Sequence, residues 1–377
     1  MLAIQKYIKK YGLEKTIQDF KLKTREYDDK ILLKYDQLVS STLMALPEMQ
    51  DCRGLILEKD TWNVMSLAFR KFFNAQEGNA HKIDWNTAHV LEKLDGSLIQ
   101  VYWDWQKDEW FAGTTGTAEG EGEVNNKNGT TFNDLFWNTL EIKYGISKKR
   151  WNEIIEPNNT YVFELTTPYN IVVKPHAESS LTLLAIRDLT DLTESSYEDL
   201  VEFGKMDGIP VVKSYDLNAK DVGALLRTFE GMPWSEEGYV VVDGNFNRIK
   251  IKNPAYLAVH HLKGKTAEHN ILTIVKTNEI EEFASTFPER KEELYKLKEG
   301  YDDLVNKLNV LWDEIKSHKP KNITPAEKKR YAMKVFEVCV NDLKPFTGMC
   351  FGLAEGKIES VEDFMFKYDD KLLYKML

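Results

Sequence analysis

Residues 88–105 read AHVLEKLDGSLIQVYWDW, and the fold is decided inside this stretch. Val90 and Leu91 close an apolar, strand-like run, Asp95-Gly96 is a turn-forming pair, and a second strand-like run follows from Leu98 to Trp105. The pattern predicts two strands joined by a short turn, with Lys93 held at its mouth. Glycine at 96 leaves the backbone free to approach a ligand closely. A lysine in such a place is a nitrogen nucleophile wherever its surroundings depress its pKa. Lysine, aspartate and glycine are also common in solvated hairpins, so the remaining chain has to carry the weight.

Working outward, the flanking sequence changes texture twice. Residues 2 to 27 read as helical, with Leu2, Ile4, Tyr7 and Ile8 spaced for one face. From Ile31 to Ile251 short β-like runs alternate with turns: 54–57, 98–105, 160–165, 180–186, 238–242 and 246–252, with one helical insertion over 132–144. This is the pattern of an α+β domain built on antiparallel sheets. After Asn253-Pro254 the runs become helical over 280–317, 325–343 and 360–376, and Leu294, Leu297, Leu304, Leu308 and Leu311 form a stripe that reads as core. Residues 1–254 and 255–377 are therefore expected to be two domains, the second all-helical.

The chain has 377 residues, 42% hydrophobic and 29% charged, which is the composition of a soluble globular protein. No run approaches the roughly 18 consecutive apolar residues of a membrane helix. The charged start lacks the apolar core of a signal peptide. Cys52, Cys339 and Cys350 fall in no metal-ligand spacing, and so sparse a count predicts a reducing cytoplasm. The net charge of −10 is uneven, with 30 basic against 39 acidic residues up to Ala255 and 20 against 21 beyond it. A phosphate-binding groove in this chain has to be a local basic lining within an acidic shell.

Four further elements accompany Lys93 in order: Asp51-Cys52-Arg53-Gly54, Phe163-Glu164-Leu165, Glu237-Gly238-Tyr239-Val240 and Ile249-Lys250-Ile251-Lys252. Strand residues two apart share a face, so Lys250 and Lys252 point one way and Ile249 and Ile251 the other. Two ammonium groups on an apolar backing make a clamp for a triphosphate and favour the neutral form of a nearby lysine. Glu164 and Glu237 suit a divalent ion or ribose hydroxyls. Singly, each element reads as an edge strand, a surface ion pair or a structural arginine; together and in order they point to nucleotide chemistry.

In that order the elements resemble the motifs of the covalent nucleotidyltransferases, the polynucleotide ligases and capping enzymes that attach a nucleotide to their own lysine. The runs 51–54, 70–74 (Arg-Lys-Phe-Phe-Asn), 92–97 (Glu-Lys-Leu-Asp-Gly-Ser), 237–240 and 250–256 (Lys-Ile-Lys-Asn-Pro-Ala-Tyr) narrow the resemblance to the RNA ligase 1 family of T-even bacteriophages. It covers residues 30 to 260 and implies an antiparallel-sheet nucleotidyltransferase domain of the ATP-grasp-like ligase kind. It further implies ATP-dependent joining of 5′-phosphate and 3′-hydroxyl RNA ends through AMP carried on Lys93, with Mg2+ or Mn2+. By motif, Tyr35, Arg53 and Lys71 would contact phosphates, and Glu92, Asp95 and Gly96 would line the nucleotide site. Glu164 would bind ribose and Glu237 nucleotide, both would serve the metal, and Lys250 with Lys252 would hold the α-phosphate. One departure stands out: where relatives carry a basic residue, this chain has Thr115 within Thr114-Thr115-Gly116-Thr117. The acidic run Ala118–Glu123 after it reads as a flexible hairpin tip, since its carboxylates repel phosphate.

DNA ligases and capping enzymes follow the last motif with a β-rich domain, and the helical texture here disfavours both. The alternatives are such an enzyme, or a relative that binds RNA without joining it. The resemblance links the helical domain to RNA choice, with single-stranded or nicked RNA, such as a broken tRNA, as partner. Lys316, Lys319, Lys321, Lys328, Lys329 and Arg330 are its candidate contacts. A monomer in the cytoplasm, or the host cytoplasm for a phage protein, completes the expectation.

Overall fold

In the computed structural model the segment 88–105 is two strands, as its pattern predicts, but they belong to different sheets. The structure describes all residues except 38, 126–127, 171–172, 258–270, 287 and 321–323. Strand β6 (His89–Glu92) lies in a five-stranded sheet with β5 (Phe73–Asn74), β11 (Ser214–Tyr215), β12 (Gly238–Val242) and β13 (Arg248–Lys252), in the order β11-β6-β12-β13-β5. Strand β7 (Ser97–Asp104) lies in a four-stranded antiparallel sheet with β8 (Glu109–Thr114), β9 (Asn159–Thr166) and β10 (Ser180–Asp188), in the order β10-β9-β7-β8. Residues 93–96 are thus the crossing from one sheet to the other. A third sheet, β1 (Lys23–Glu26), β2 (Lys30–Lys34), β3 (Arg53–Glu58) and β4 (Val64–Ser66), is antiparallel in chain order.

Alternation along β2 and β3 decides what this third sheet covers. Ile31, Leu33, Leu55 and Leu57 pack on helices α1 (Ala3–Tyr11) and α2 (Leu13–Phe20), while Leu32 and Ile56 pack on Tyr102 of β7. Two short helices, α3 (Ser41–Met44) and α4 (Pro47–Asp51), lead into β3. The face of the β7–β10 sheet away from β2 is covered by α5 (Phe132–Tyr144), α6 (Lys148–Ile154) and α7 (Tyr197–Asp207) around Phe136, Trp151 and Phe163. Helix α8 (Val222–Arg227) closes the five-stranded sheet through Leu225. The helical reading of residues 2 to 27 holds only to Phe20, because Lys23–Glu26 is strand. All four of its residues are exposed, so no apolar alternation marks it.

The chain divides into two compact units, Met1–Lys263 and Gly264–Leu377. The described residues of the second are helical, its longest helix running from Lys291 to Lys316 with Leu294, Leu308 and Leu311 buried. Among the described residues no helix is long and apolar enough to cross a membrane.

The run Ala118–Glu123 is not the flexible tip that its sequence suggests. Ala118 and Gly120 are buried, and an added Cβ on Gly120 would meet the Ala112 carbonyl oxygen. Its carboxylates are neutralised by cations distant in sequence. Lys30 Nζ lies 2.5 Å from Asp104, 2.8 Å from Glu119 and 3.3 Å from Asp29, and Lys107 also holds Glu119. Glu121 accepts from the Tyr27 hydroxyl at 2.5 Å and pairs with Arg25. Asp29, Asp104 and Glu119 have the spacing of metal ligands, but the Lys30 ammonium already serves them as counter-ion. Burial pulls the Lys30 pKa down, yet its bonds to Asp104 and Glu119 outweigh burial and hold it above the usual value. Lys30 at Asp104, and Lys107 together with Lys30 at Glu119, outweigh burial and hold both carboxylates below the usual range.

Removing one partner of a buried ion pair leaves an uncompensated charge, at a cost of about 3–5 kcal/mol. Lys30→Met is therefore expected to lose stability of that order in urea denaturation at neutral pH. Carboxylates with depressed pKa values contribute stability that is lost as pH falls through those values. The gap between wild type and variant should accordingly narrow below the ordinary carboxylate range.

Candidate functional site

The crossing between β6 and β7 opens onto a cavity of about 630 Å³. Every residue expected of the nucleotide site lines it: Tyr35, Arg53, Lys71, Glu92, Lys93, Asp95, Gly96, Glu164, Glu237, Lys250 and Lys252. They reach it from the three sheets because each stands at a strand end or at the polar position of an otherwise buried strand. Glu164 is the half-buried residue within the buried run Thr160–Thr166. Lys250 and Lys252 are half-buried on β13, while Ile249 and Ile251 are fully packed behind them.

Lys93 is positioned twice. Its amide donates to the Gly238 carbonyl at 3.0 Å, which extends the β6–β12 pairing by one residue. Its Nζ lies 2.5 Å from Glu237 Oε1. Glu237 is placed by Asn253, whose amide donates to the Glu237 carbonyl at 2.8 Å and whose side chain donates to the carbonyls of Pro233 and Glu236. Gly238, at φ 137°, lets β12 pass so near β13 that an added Cβ would sit 2.2 Å from the Ile251 carbonyl oxygen. A side chain at Gly96 would meet the Leu165 carbonyl oxygen at 2.6 Å. Glycine is needed there for the crossing to lie against β9. The Asp95 carboxylate is spent on structure, since Oδ2 accepts from the amides of Val173 and Lys174 at 2.9 and 2.5 Å.

The opposite wall is cationic. Arg53 lies 5.2 Å from the Phe72 ring centroid, and its Nη1 is buried with no hydrogen-bond partner among the described residues. Lys71 Nζ is 5.3 Å from the Tyr35 ring and 5.5 Å from the Phe73 ring. Neither Arg53 nor Lys71 has a carboxylate within 4.0 Å among the described residues. Aromatic faces stabilise such cations without neutralising them. An unsatisfied guanidinium nitrogen on a residue that lines a cavity is the expected mark of an anion site.

Glu164 and Glu237 are the two carboxylates facing this wall. Burial pushes the Glu164 carboxyl up to about 8; Glu237 adds to the rise, and Lys93 and Arg53 oppose it. A bound cation would relieve that penalty. Two carboxylates suit a magnesium-like ion that takes its other ligands from phosphate and water. Burial, reinforced by Glu236, likewise raises Glu92 at the cavity edge. Lys34, Tyr256, and the apolar Leu91, Leu184, Val212 and Val240 also line the cavity. Tyr256 ends the run Lys-Ile-Lys-Asn-Pro-Ala-Tyr, and Lys34 lies in none of the motifs.

Of the helical-domain lysines, Lys316 pairs with Asp313 at 2.6 Å, while Lys319, Lys328, Lys329 and Arg330 are exposed. Lys321 lies outside the described residues.

Comparison with known proteins bears on this site. The model of a protein family described as RNA ligase matches residues 51–256. An RNA ligase of Rhodothermus phage RM378 is 26% identical over 351 residues, covering 76% of this chain and 78% of that protein. A candidate bifunctional polynucleotide kinase/RNA ligase of Autographa californica nuclear polyhedrosis virus is 28% identical over 309 residues, covering 77% of this chain but only 42% of the relative. Among solved structures, a candidate ATP-dependent DNA ligase from Aquifex aeolicus aligns over 86% of this chain and 77% of its own at 13% identity and a TM-score of 0.43. At that score the structural likeness adds nothing to the sequence matches.

A carboxyl with a raised folded pKa keeps its proton in the native state after the unfolded chain has lost it, so stability falls as pH rises between the two values. For Glu164 that window runs from about 4.5 to about 8. Nucleotide-free protein should lose stability across it, and Glu164→Gln should flatten the decline in denaturation midpoints measured over this range.

Proposed function

The chain belongs to the RNA ligase family whose model matches residues 51–256, and from that premise we propose that Lys93 is the nucleophile of an ATP-dependent RNA-joining reaction. The carrying observation is one cavity in which Lys93, paired with Glu237, faces Arg53 and Lys71, which have no carboxylate partners among the described residues. In the first step the Lys93 nitrogen attacks the α-phosphorus of ATP. The new N–P bond replaces the bond to the bridging oxygen, and pyrophosphate leaves with the electron pair. Nζ must shed a proton to react, and Glu237 Oε1 at 2.5 Å is its nearest acceptor. Arg53, Lys71, Lys250 and Lys252 would hold phosphate oxygens on which charge develops. The apolar end, Leu91, Val212 and Val240, would take the base.

A magnesium or manganese ion arriving with the nucleotide would neutralise phosphate charge, and Glu164 and Glu237 are the carboxylates suited to hold it. AMP then passes to the 5′-phosphate of an RNA end, and a 3′-hydroxyl displaces it to seal the strand. The helical unit would select the RNA, a broken tRNA being the candidate substrate. Lys328, Lys329 and Arg330 on the helix Pro325–Val338, beside the exposed Met333 and Phe336, offer cations and a stacking surface for it. The protein is proposed to act as a monomer in the cytoplasm.

Protein stripped of bound AMP with pyrophosphate should take label from α-labelled ATP and magnesium, but not from GTP. The label should chase onto 5′-phosphorylated RNA. Lys93→Ala should lower labelling by about a thousandfold or more, as removal of a nucleophile does. Stripped wild-type protein that takes no label would overturn the reading, and label taken from GTP would redirect it to capping chemistry.

A further inference from the structure

Two lysines of β2 face the β7–β8 hairpin, and their surroundings are opposite. Lys30, Leu32 and Lys34 alternate onto one face of the strand. Lys30 reaches one end of the hairpin and is met by three carboxylates within 3.3 Å. Lys34 reaches the other end, where β8 runs into the turn Thr114–Thr117. Its ammonium lies 3.9 Å from the position that a Cβ on Gly116 would occupy, and it lines the cavity. No described carboxylate comes within 4.0 Å of it.

The turn that Lys34 overhangs is rigid and uncharged. Thr114 Oγ1 accepts from the amides of Gly116 and Thr117 at 3.1 and 3.0 Å, and the Thr114 amide donates to the Thr117 carbonyl at 2.8 Å. Gln100 ties it to β3, donating through Nε2 to the carbonyls of Gly54 at 2.7 Å and Thr114 at 3.2 Å. Gly54, at φ +80°, lets β3 come so near that an added Cβ would lie 2.7 Å from Thr115 Cα. Lys34 stands opposite Arg53 in the β2–β3 register, so both cations flank this docked turn. A half-buried ammonium without a counter-ion pays for lost hydration with nothing in return unless an anion occupies the space before it.

We propose that Lys34 binds a substrate phosphate, supplying from β2 the positive charge that the Thr114–Thr117 turn lacks. The proposal rests on the nucleotidyl-transfer reading of the cavity. Its ligand is a phosphate oxygen anion, belonging either to the β- and γ-phosphates of ATP or to the 5′-phosphate of the RNA end.

The test compares wild type with Lys34→Ala, Lys34→Met, Lys34→Arg and the double variant Lys34→Ala/Thr115→Lys, which returns a lysine from the turn side of the same gap. Four quantities are read: labelling of Lys93 by ATP, transfer of preloaded AMP to 5′-phosphorylated RNA, binding of inorganic pyrophosphate, and melting temperature. Loss of one charged contact predicts a fall of about 10- to 100-fold in one of the first two, with a melting temperature unchanged or raised. A fall in labelling and in pyrophosphate binding assigns Lys34 to the nucleotide, whereas a fall in transfer alone assigns it to the RNA end. Lys34→Arg should keep most of the activity, and the double variant should recover at least part of it. Lys34→Ala and Lys34→Met within about twofold of wild type in both steps would overturn the proposal. So would losses that track a lowered melting temperature and are not recovered by arginine or by Thr115→Lys. Should wild type take no label, the family-based reading fails, and pyrophosphate binding to wild type and Lys34→Ala still decides the role of Lys34.

Discussion

Besides Arg248, which Glu194 neutralises, six cationic side chains, Lys34, Arg53, Lys71, Lys93, Lys250 and Lys252, line one cavity, and the surrounding fold has to offset their mutual repulsion. Two like charges about 8 Å apart at an effective dielectric near 20 repel by about 2 kcal/mol, and six such groups make many pairs. The fold answers with unlike devices at three of them. Glu237 meets Lys93, Phe72 meets Arg53, and Tyr35 and Phe73 meet Lys71. Only the first of these cancels charge. The rest leave a positive potential in place, which stabilises an incoming polyphosphate and disfavours an empty site. Glu164 runs against this crowding: burial, with Glu237 adding to it, pushes its carboxyl up to about 8, and the neighbouring Lys93 and Arg53 only partly offset the rise.

Such convergence requires backbones to approach more closely than side chains allow, and three glycines mark where. At Gly96, Gly238 and Gly54 an added Cβ would fall 2.6, 2.2 and 2.7 Å from backbone atoms of β9, β13 and the Thr114–Thr117 turn. Each join brings a motif residue to the cavity: Lys93 beside Gly96, Glu237 beside Gly238, and Arg53 beside Gly54. Asp95 serves the same end, since its carboxylate fixes the amides of Val173 and Lys174 behind the crossing. An aspartate bonded in this way is a brace for the nucleophile's loop, whatever else its exposed edge touches.

The parts of this architecture that were legible in the sequence are those written in local patterns. Asp95-Gly96 between two apolar runs marked the crossing, and the alternation of 249–252 told which lysines face the cavity. The helical insertion expected over 132–144 has its predicted bounds. The failures share one physical cause: a charge read without its tertiary partner. Glu119 and Glu121 suggested a repelling, mobile tip because Lys30, Lys107, Arg25 and Tyr27, which neutralise or bind them, lie elsewhere in the chain. Lys34 was invisible for the opposite reason, because nothing in the sequence shows that it lacks the carboxylates that surround Lys30. Strand Lys23–Glu26 escaped because an edge strand with no buried face leaves no alternation to read.

The balance of charge constrains what kind of nucleic-acid contact this first unit makes. Its first 255 residues carry 39 acidic against 30 basic side chains, so its net charge repels a polyanion, an effect screened beyond a Debye length of about 8 Å at physiological salt. Attraction begins only where the cavity's cations outweigh that shell. A protein that grips duplex along its length spreads cations over a face and gains affinity from many phosphates released from their counter-ions. Here the cations are gathered in about 630 Å³, enough for a nucleotide and one terminal phosphate but not for a run of backbone. Such confinement suits the proposed contact with the end of a strand rather than with its interior. That is the discrimination a joining enzyme needs, since its chemistry has meaning only where a chain stops.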